Sequence, residues 1–360
     1  MNTTTVGVDL AKQTFSVCVV NDRGVVLLRR EFSRAAFAAW LVQLPADTIV
    51  AMEACSGAHH WGRVCLAHGL QPRLMAAQFV TPFRKSRGAK NDRNDAEAIA
   101  TAARQGNMRF VPVKTIDQQA RLSWHRAREG FKTQHLAAMN RLRGLLAEFG
   151  VVIETGPAAL RRAVPEFLER DDMPMDFMEL VRRLDEDWKQ AHAQVLACDK
   201  RIGAHAKSDE RCVRLQAQTG VGALTADATV ASINEGKEFR HGRQLSAWLG
   251  LVPRQHSSGG HEKLGRISRS GDSYLRTLLI QGARSSVNHA KRTAKDKATP
   301  EQIWIQQLMT RMSFGRVLVA VANKHARQSW AMLARGEAYD PHAWINHPMT
   351  QRNKTRQAVA

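Results

Sequence analysis

"TVGVDLAKQTFSVCVVNDRGVVLLRREF", residues 5–32, decides how the first third of the chain is read. "TVGVDL" and "TFSVCVV" are short runs rich in β-branched and aromatic residues, joined by a polar link. "NDRG" then turns the chain into a third run, "VVLLRREF". Such runs punctuated by turn residues predict consecutive antiparallel strands. Working outward, "RAAFAAWLVQL" (34–44) reads as a helix and "DTIVAMEA" (47–54) as a buried strand. "HHWGRVCLAHGL" (59–70) is helical, "QPRLMAA" (71–77) is another strand, and a further helix opens near Asp92. Three strands followed by alternating helices and strands predict a mixed α/β sheet.

After "VPVKT" (111–115) the pattern becomes helical. Leu136, Met139, Leu142, Leu146 and Phe149 recur three or four residues apart. Val181, Leu184, Trp188, Ala191, Val195, Cys198 and Ile202 then alternate the same two spacings without a break. That heptad seam fits a coiled coil or an antiparallel helical pair, and equally one amphipathic helix on a domain core. The acidic "EFLERDDMPMD" (166–176) between the two reads as a solvated turn. From 206 the chain reads as a separate, mostly helical, basic domain. "TGVGALTA" (219–226) is a Gly turn into a helix, resembling the hairpin of a helix-hairpin-helix, where backbone N–H groups grip a phosphate. Residues 250–273 form a Gly/Ser-rich basic loop or hairpin, helices are expected at 273–290 and 300–335, and the polar end frays.

The formal net charge is +20, and residues 240–360 hold 20 Lys and Arg against 6 Asp and Glu. A polyanion, most commonly nucleic acid, is the natural partner of such a surface. No long apolar span speaks for a membrane, and "MNTTTVGVDLAK" does not read as a signal peptide. Cys18, Cys55, Cys65, Cys198 and Cys212 are scattered without a CxxC, which suits a reducing, cytoplasmic compartment and argues against a zinc ribbon.

Against this basic background the acids of the first third stand out. Asp9 and Glu53 each end a strand, and neighbouring strand ends converge in an α/β sheet. Asp92 and Asp95, three residues apart, share one face of a helix start. They also satisfy a plainer reading as a capping box in the positive end of the helix dipole. Four carboxylates drawn together need a cation, and hard oxygen ligands suit Mg²⁺, with Mn²⁺ as the alternative. In the basic loop, Ser257 and Ser258 sit among Arg254, His256, His261, Lys263, Arg266 and Arg269. Cations there could stabilise charge on a phosphate attacked by a serine, although no activating base adjoins and a flexible turn explains Ser-Ser-Gly-Gly as well.

The blocks "GVDLAK", "MEACSG", "KNDRNDAEAIA", "TGVGALTA", "LSAWLGLVPRQHSSGG" and "GRISRSGDSYLRTLL", in that order, resemble the DEDD transposases of the insertion-sequence one-ten family, relatives of the pilin-gene invertases. The resemblance implies a ribonuclease-H-like, resolvase-type α/β domain (1–112) and a helical coiled-coil connector (113–205). A mostly α C-terminal transposase domain (206–335) and a polar tail (336–360) follow. It maps the acidic set onto Asp9, Glu53, Asp92 and Asp95 as Mg²⁺ ligands and the nucleophile onto Ser258, which would form a transient phosphoserine link with DNA. Arg254, Lys263, Arg266 and Arg269 become candidate phosphate contacts. The implied partners are double-stranded DNA, a structured guide (bridge) RNA and further copies of the chain sharing the active site, which would use the heptad seam. The implied setting is the bacterial cytoplasm and nucleoid. "MEACSG" has Cys-Ser where many relatives carry Thr, and Thr219 stands where Pro is common. The competing readings are a metal-only junction resolvase, a nucleic-acid scaffold with a degenerate site, and an actin-like ATPase, which the Gly-poor "DLAKQTF" disfavours.

Overall fold

The computed structural model describes residues 4–84, 92–257, 259 and 261–341, with the backbone alone for Asp92 and Arg93. It divides into two compact units, Met1–Ile116 and Asp117–Ala360.

In the first unit, β1 (Thr5–Leu10), β2 (Thr14–Val20) and β3 (Val26–Ser33) form an antiparallel meander. Asn21 holds its second turn, its side-chain oxygen accepting from the backbone N–H groups of Arg23 and Val25 at 3.0 and 2.9 Å. After α1 (Arg34–Leu41) the chain crosses into β4 (Ile49–Glu53), parallel to β1, then through α2 (Ala58–Ala67) into β5 (Gln71–Met75), parallel to β4. A short helix, α3 (Ala77–Val80), precedes the long α4 (Asp92–Ala103). A two-residue strand, β6 (Phe110–Val111), inside what reads as the approach to the helical region, closes the sheet against β5. The order β3-β2-β1-β4-β5-β6 is the mixed sheet expected, and it is consistent with a ribonuclease-H-like domain.

Strand alternation divides the core between the two faces of this sheet. Val6, Val8, Phe15, Val17, Val50 and Met52 pack with Phe37 and Leu41 of α1 and Trp61 and Cys65 of α2. On the opposite face Ala51 and Met75 pack with Ala98 and Ile99 of α4, and Cys18 packs with Ala96 and Ala100. Gly7 permits this second layer: a Cβ there would lie 2.5 Å from the Ala100 backbone nitrogen and nearer still to the Ala96 carbonyl oxygen. Glycine inside a strand commonly marks such a close backbone approach.

The second unit opens with α5 (Ile116–Glu148), α6 (Pro157–Leu168) and α7 (Met175–Ser208). The first part of the heptad seam, Val181 to Trp188, packs within one chain. Met139, Leu142 and Leu146 of α5 and Leu160, Val164 and Phe167 of α6 pack with Val181, Leu184 and Trp188 of α7. Arg128 meets Asp199 at 2.6 Å, and the His135 ring stacks on Trp188. Later residues of α5 thus meet earlier residues of α7, as in an antiparallel pair. Of the seam positions, Val181, Leu184, Trp188, Ala191, Cys198 and Ile202 are buried within the one chain, and Val195 is half-buried. Leu136 and Phe149 stay exposed, and the acidic stretch keeps a helical start, since α6 runs to Leu168.

Further along come α8 (Glu210–Gln216), α9 (Ala223–Ile233), α10 (Gly242–Trp248), a ribbon of β7 (Pro253–Gln255) and β8 (Leu264–Ile267), and α11 (Ser273–Arg292). The helix expected over 300–335 is two, α12 (Pro300–Arg311) and α13 (Phe314–Ala334), because Ser313 takes an extended N-cap conformation between them. Gly220 serves packing: at φ +83° it lies so close to α11 that a Cβ would fall 2.5 Å from the Gly282 carbonyl oxygen. Among the described residues no helix is long and apolar enough to cross a membrane.

Candidate active site

The parallel register of β1 and β4 pairs Val8 with Met52, so the next positions along the two strands are Asp9 and Glu53. Asp9 shares a face with Gly7, and Glu53 with Ala51, and both faces lie under α4. The first turn of α4 brings Asp95 to the same end of the sheet, with its side chain almost wholly buried. Asp95 faces a cation there: Arg84 Nε lies 2.8 Å from its Oδ1. The same guanidinium reaches Glu53, with Nη2 3.6 Å from Oε1. One arginine therefore joins the end of β4 to the start of α4. Burial pushes the Cys55 thiol above its ordinary range, and the negative fields of Glu53 and Asp9 act in the same direction.

Three of the four predicted acids thus converge on one end of the sheet. Asp92 begins α4 three residues earlier, and its side chain lies outside the described residues. Among the described residues no group of three His, Cys, Asp or Glu side chains is drawn together closely enough to hold an ion. The donors are nonetheless all carboxylate oxygens, and two of them, Glu53 and Asp95, already face the positive charge of Arg84. In chemistry this set fits a small hard cation such as Mg²⁺ or Mn²⁺. Arg84 was not legible as a site residue, since "PFRKSRGAK" reads only as a basic loop.

In the second unit the predicted serine loop is the ribbon β7–β8. Its base is tied to the body: Arg276 donates to the carbonyls of Leu249 and Ser270 at 2.9 and 2.8 Å. Arg254, Lys263, Arg266 and Arg269 are all exposed, and Arg254 also donates to the Ser268 carbonyl at 3.2 Å. Ser257 accepts from Gln255 at 3.0 Å, whereas Ser258 lies outside the described residues. The ribbon's strands are exposed at nearly every position, so it presents its cations to solvent on both faces.

A buried ionic network that sequence reading missed lies in the same unit. Arg121 of α5 donates to Asp227 of α9 at 2.9 Å and to Asp209, the N-cap of α8, at 2.7 Å. His125 lies 2.8 Å from the other Asp227 oxygen and 2.9 Å from the Tyr274 hydroxyl of α11. Burial acts to raise the Asp227 pKa, but His125 and Arg121 outweigh it and hold the carboxyl below its ordinary range.

Two family models match the chain, and the first extends past the end of the first unit into α5. Residues 6–150 match a family model described as a transposase of the DEDD, IS110 type, and residues 212–298 match one described as the transposase IS116/IS110/IS902 family. The chain is 43% identical over 344 residues to a probable family 20 transposase of Pseudomonas aeruginosa, covering 95% of this chain and 100% of that one. It is 39% identical to the transposase for insertion sequence element IS1111A of Coxiella burnetii, over 92% of this chain and 90% of the other. A pilin gene-inverting protein of Moraxella lacunata is 23% identical over 79% of this chain and 83% of its own. The chain belongs to the IS110 family of transposases, enzymes that cleave and rejoin DNA.

Proposed function

We propose that Asp9, Glu53, Asp92 and Asp95 form a divalent-metal site, for Mg²⁺ or in its place Mn²⁺, and that Ser258 is the nucleophile of strand cleavage. The observation carrying this reading is the close crossing of α4 over Gly7, which brings Asp95 beside Glu53 on the face that Asp9 shares. When bound, the ion would neutralise the carboxylates and polarise a DNA phosphate. Ser258 Oγ would form a bond to phosphorus while one bridging phosphorus–oxygen bond breaks. The freed sugar hydroxyl keeps that oxygen and takes up a proton, and reversal onto another strand end rejoins the DNA. Arg254, Lys263, Arg266 and Arg269 are assigned to hold phosphates around the serine, which their exposure on the ribbon supports. A structured guide RNA and an assembly that shares sites between copies rest on the family resemblance. Under RNA guidance base pairing would choose the target, leaving no base-reading code in the side chains.

A denaturing gel tests the reading with labelled DNA carrying the element junction, RNA from its flanking non-coding region, and Mg²⁺. A denaturation-resistant protein–DNA adduct is expected for the wild type and in neither Ser258→Ala nor Asp9→Asn. Cleavage without an adduct would instead mean that water attacks and Ser258 is a bystander.

A further inference from the structure

We infer that Arg84 is a tethered counter-ion: its guanidinium holds the acidic site together in the metal-free chain and gives the carboxylates up to the divalent ion. The inference rests on the metal-site reading above and adds a residue to it. Glu53 and Asp95 belong to different elements, and each is less than one-fifth exposed. Like charges brought together from different elements oppose the fold unless something offsets them. Arg84 does so from one planar group, meeting Asp95 at 2.8 Å through Nε and Glu53 at 3.6 Å through Nη2. A guanidinium suits this task because it stays charged when partly buried and spreads its donors in a fork.

A carboxylate oxygen engaged by an arginine is a poorer ligand for another cation. The ion and Arg84 therefore compete for the same two acids. Arg84 directly follows the turn Thr81–Phe83, in the segment between α3 and α4. It thus comes from outside both elements whose acids it bridges, and it can leave without moving either. If the guanidinium occupies the acids about nine-tenths of the time, the apparent ion affinity is lowered about tenfold. The chain would then fold with an intact acidic site before metal arrives, and would load metal at a higher concentration than the bare acids require.

The test is Mn²⁺ binding by titration calorimetry, together with thermal unfolding in chelator and in Mn²⁺, on the full chain. Arg84→Gln is expected to bind Mn²⁺ about tenfold more tightly than wild type. It should melt lower in chelator and gain more from Mn²⁺. Arg84→Lys keeps the charge without the fork and should fall between the two, and it carries the test if the glutamine variant does not fold. Saturable binding that is equal or weaker in the variants overturns the exchange, leaving Arg84 as a brace for Asp95. If wild type shows no saturable binding, or Asp9→Asn and Asp95→Asn bind as well as wild type, the carboxylate reading fails and the exchange falls with it.

Discussion

At the scale of single residues, the first unit depends on an atom that is absent, the Cβ of Gly7. Gly7→Ala would press a methyl against the backbone of α4 at Ala96 and Ala100, where no rotamer can relieve it. Chemical denaturation should show a loss of about 3 kcal/mol, the upper part of the usual overpacking range. Metal response should fall with it, because α4 carries Asp95. A stability within about 0.5 kcal/mol of wild type, the range of ordinary surface changes, would mean that α4 does not cross β1 so closely. This contact was half legible: a Gly amid "TVGVDL" signals an approaching backbone, but not which one. In the second unit, Asp227→Asn leaves Arg121 and His125 buried with a neutral partner, for an expected cost of about 3 kcal/mol at pH 7. The folded carboxyl titrates below the unfolded value of about 3.9. Its contribution is therefore complete above pH 4 and is lost as pH falls toward the folded value. Urea titrations at pH 7, 4 and 3 should show the gap between wild type and variant narrowing over the last step. A gap that stays constant would take the ionised form of Asp227 out of the network. Nothing in the sequence marked this cluster, because Arg121, His125, Asp209, Asp227 and Tyr274 come from four helices whose packing no local pattern encodes.

Among the elements, the most legible were those whose periodicity matches what they bury. β1 to β5 fall where the β-rich and buried runs predicted, and α4 begins at Asp92, near where it was expected. The seam of α7 was read correctly as a seam, while its partner was ambiguous, since an apolar stripe records that something covers it and not whose chain the cover belongs to. The break between α12 and α13 was missed because apolar spacing continues across Met312 and Ser313. Only the preference of serine for an N-cap hinted at a new start. The antiparallel pairing of α5 and α7 separates two leucines that look alike in sequence. Leu142 is fully buried between the helices, while Leu136, six residues earlier, is 44% exposed. Leu142→Ala should cost about 3 kcal/mol by urea denaturation, and Leu136→Ala no more than about 0.5 kcal/mol. Similar losses at both positions would show that Leu136 is covered as well, which is what a second chain laid along α5 would do.

Across the whole molecule, charge links the sequence to DNA most directly. The chain carries +20 overall, and 20 of its 53 Lys and Arg fall between 240 and 360. Such a surface binds duplex largely by releasing the cations condensed on its phosphates, so affinity should fall steeply as salt rises. Not every basic residue there is free to take part. Arg276 is committed to the carbonyls of Leu249 and Ser270, and Lys324 is half-buried over the Trp304 ring beside Glu301. The ribbon β7–β8 is different: its basic side chains are exposed, and its acids do not match them in number. If Arg254, Lys263, Arg266 and Arg269 each meet a phosphate, removing any one lowers the slope of log affinity against log salt by about 0.9. Replacing all four with alanine should lower it by about 3 to 4. Fluorescence anisotropy with a duplex of unrelated sequence, over a series of KCl concentrations, measures this apart from any target or guide. Arg276→Ala is the informative contrast, since it should disturb the ribbon's base without removing a phosphate contact. If it changed the slope as much as Arg266→Ala, the ribbon's position would matter to binding more than its charges. A slope unchanged by the fourfold variant would move the phosphate contacts to the exposed lysines and arginines of α11, Arg284, Lys291 and Arg292, and leave the ribbon to present the serine alone.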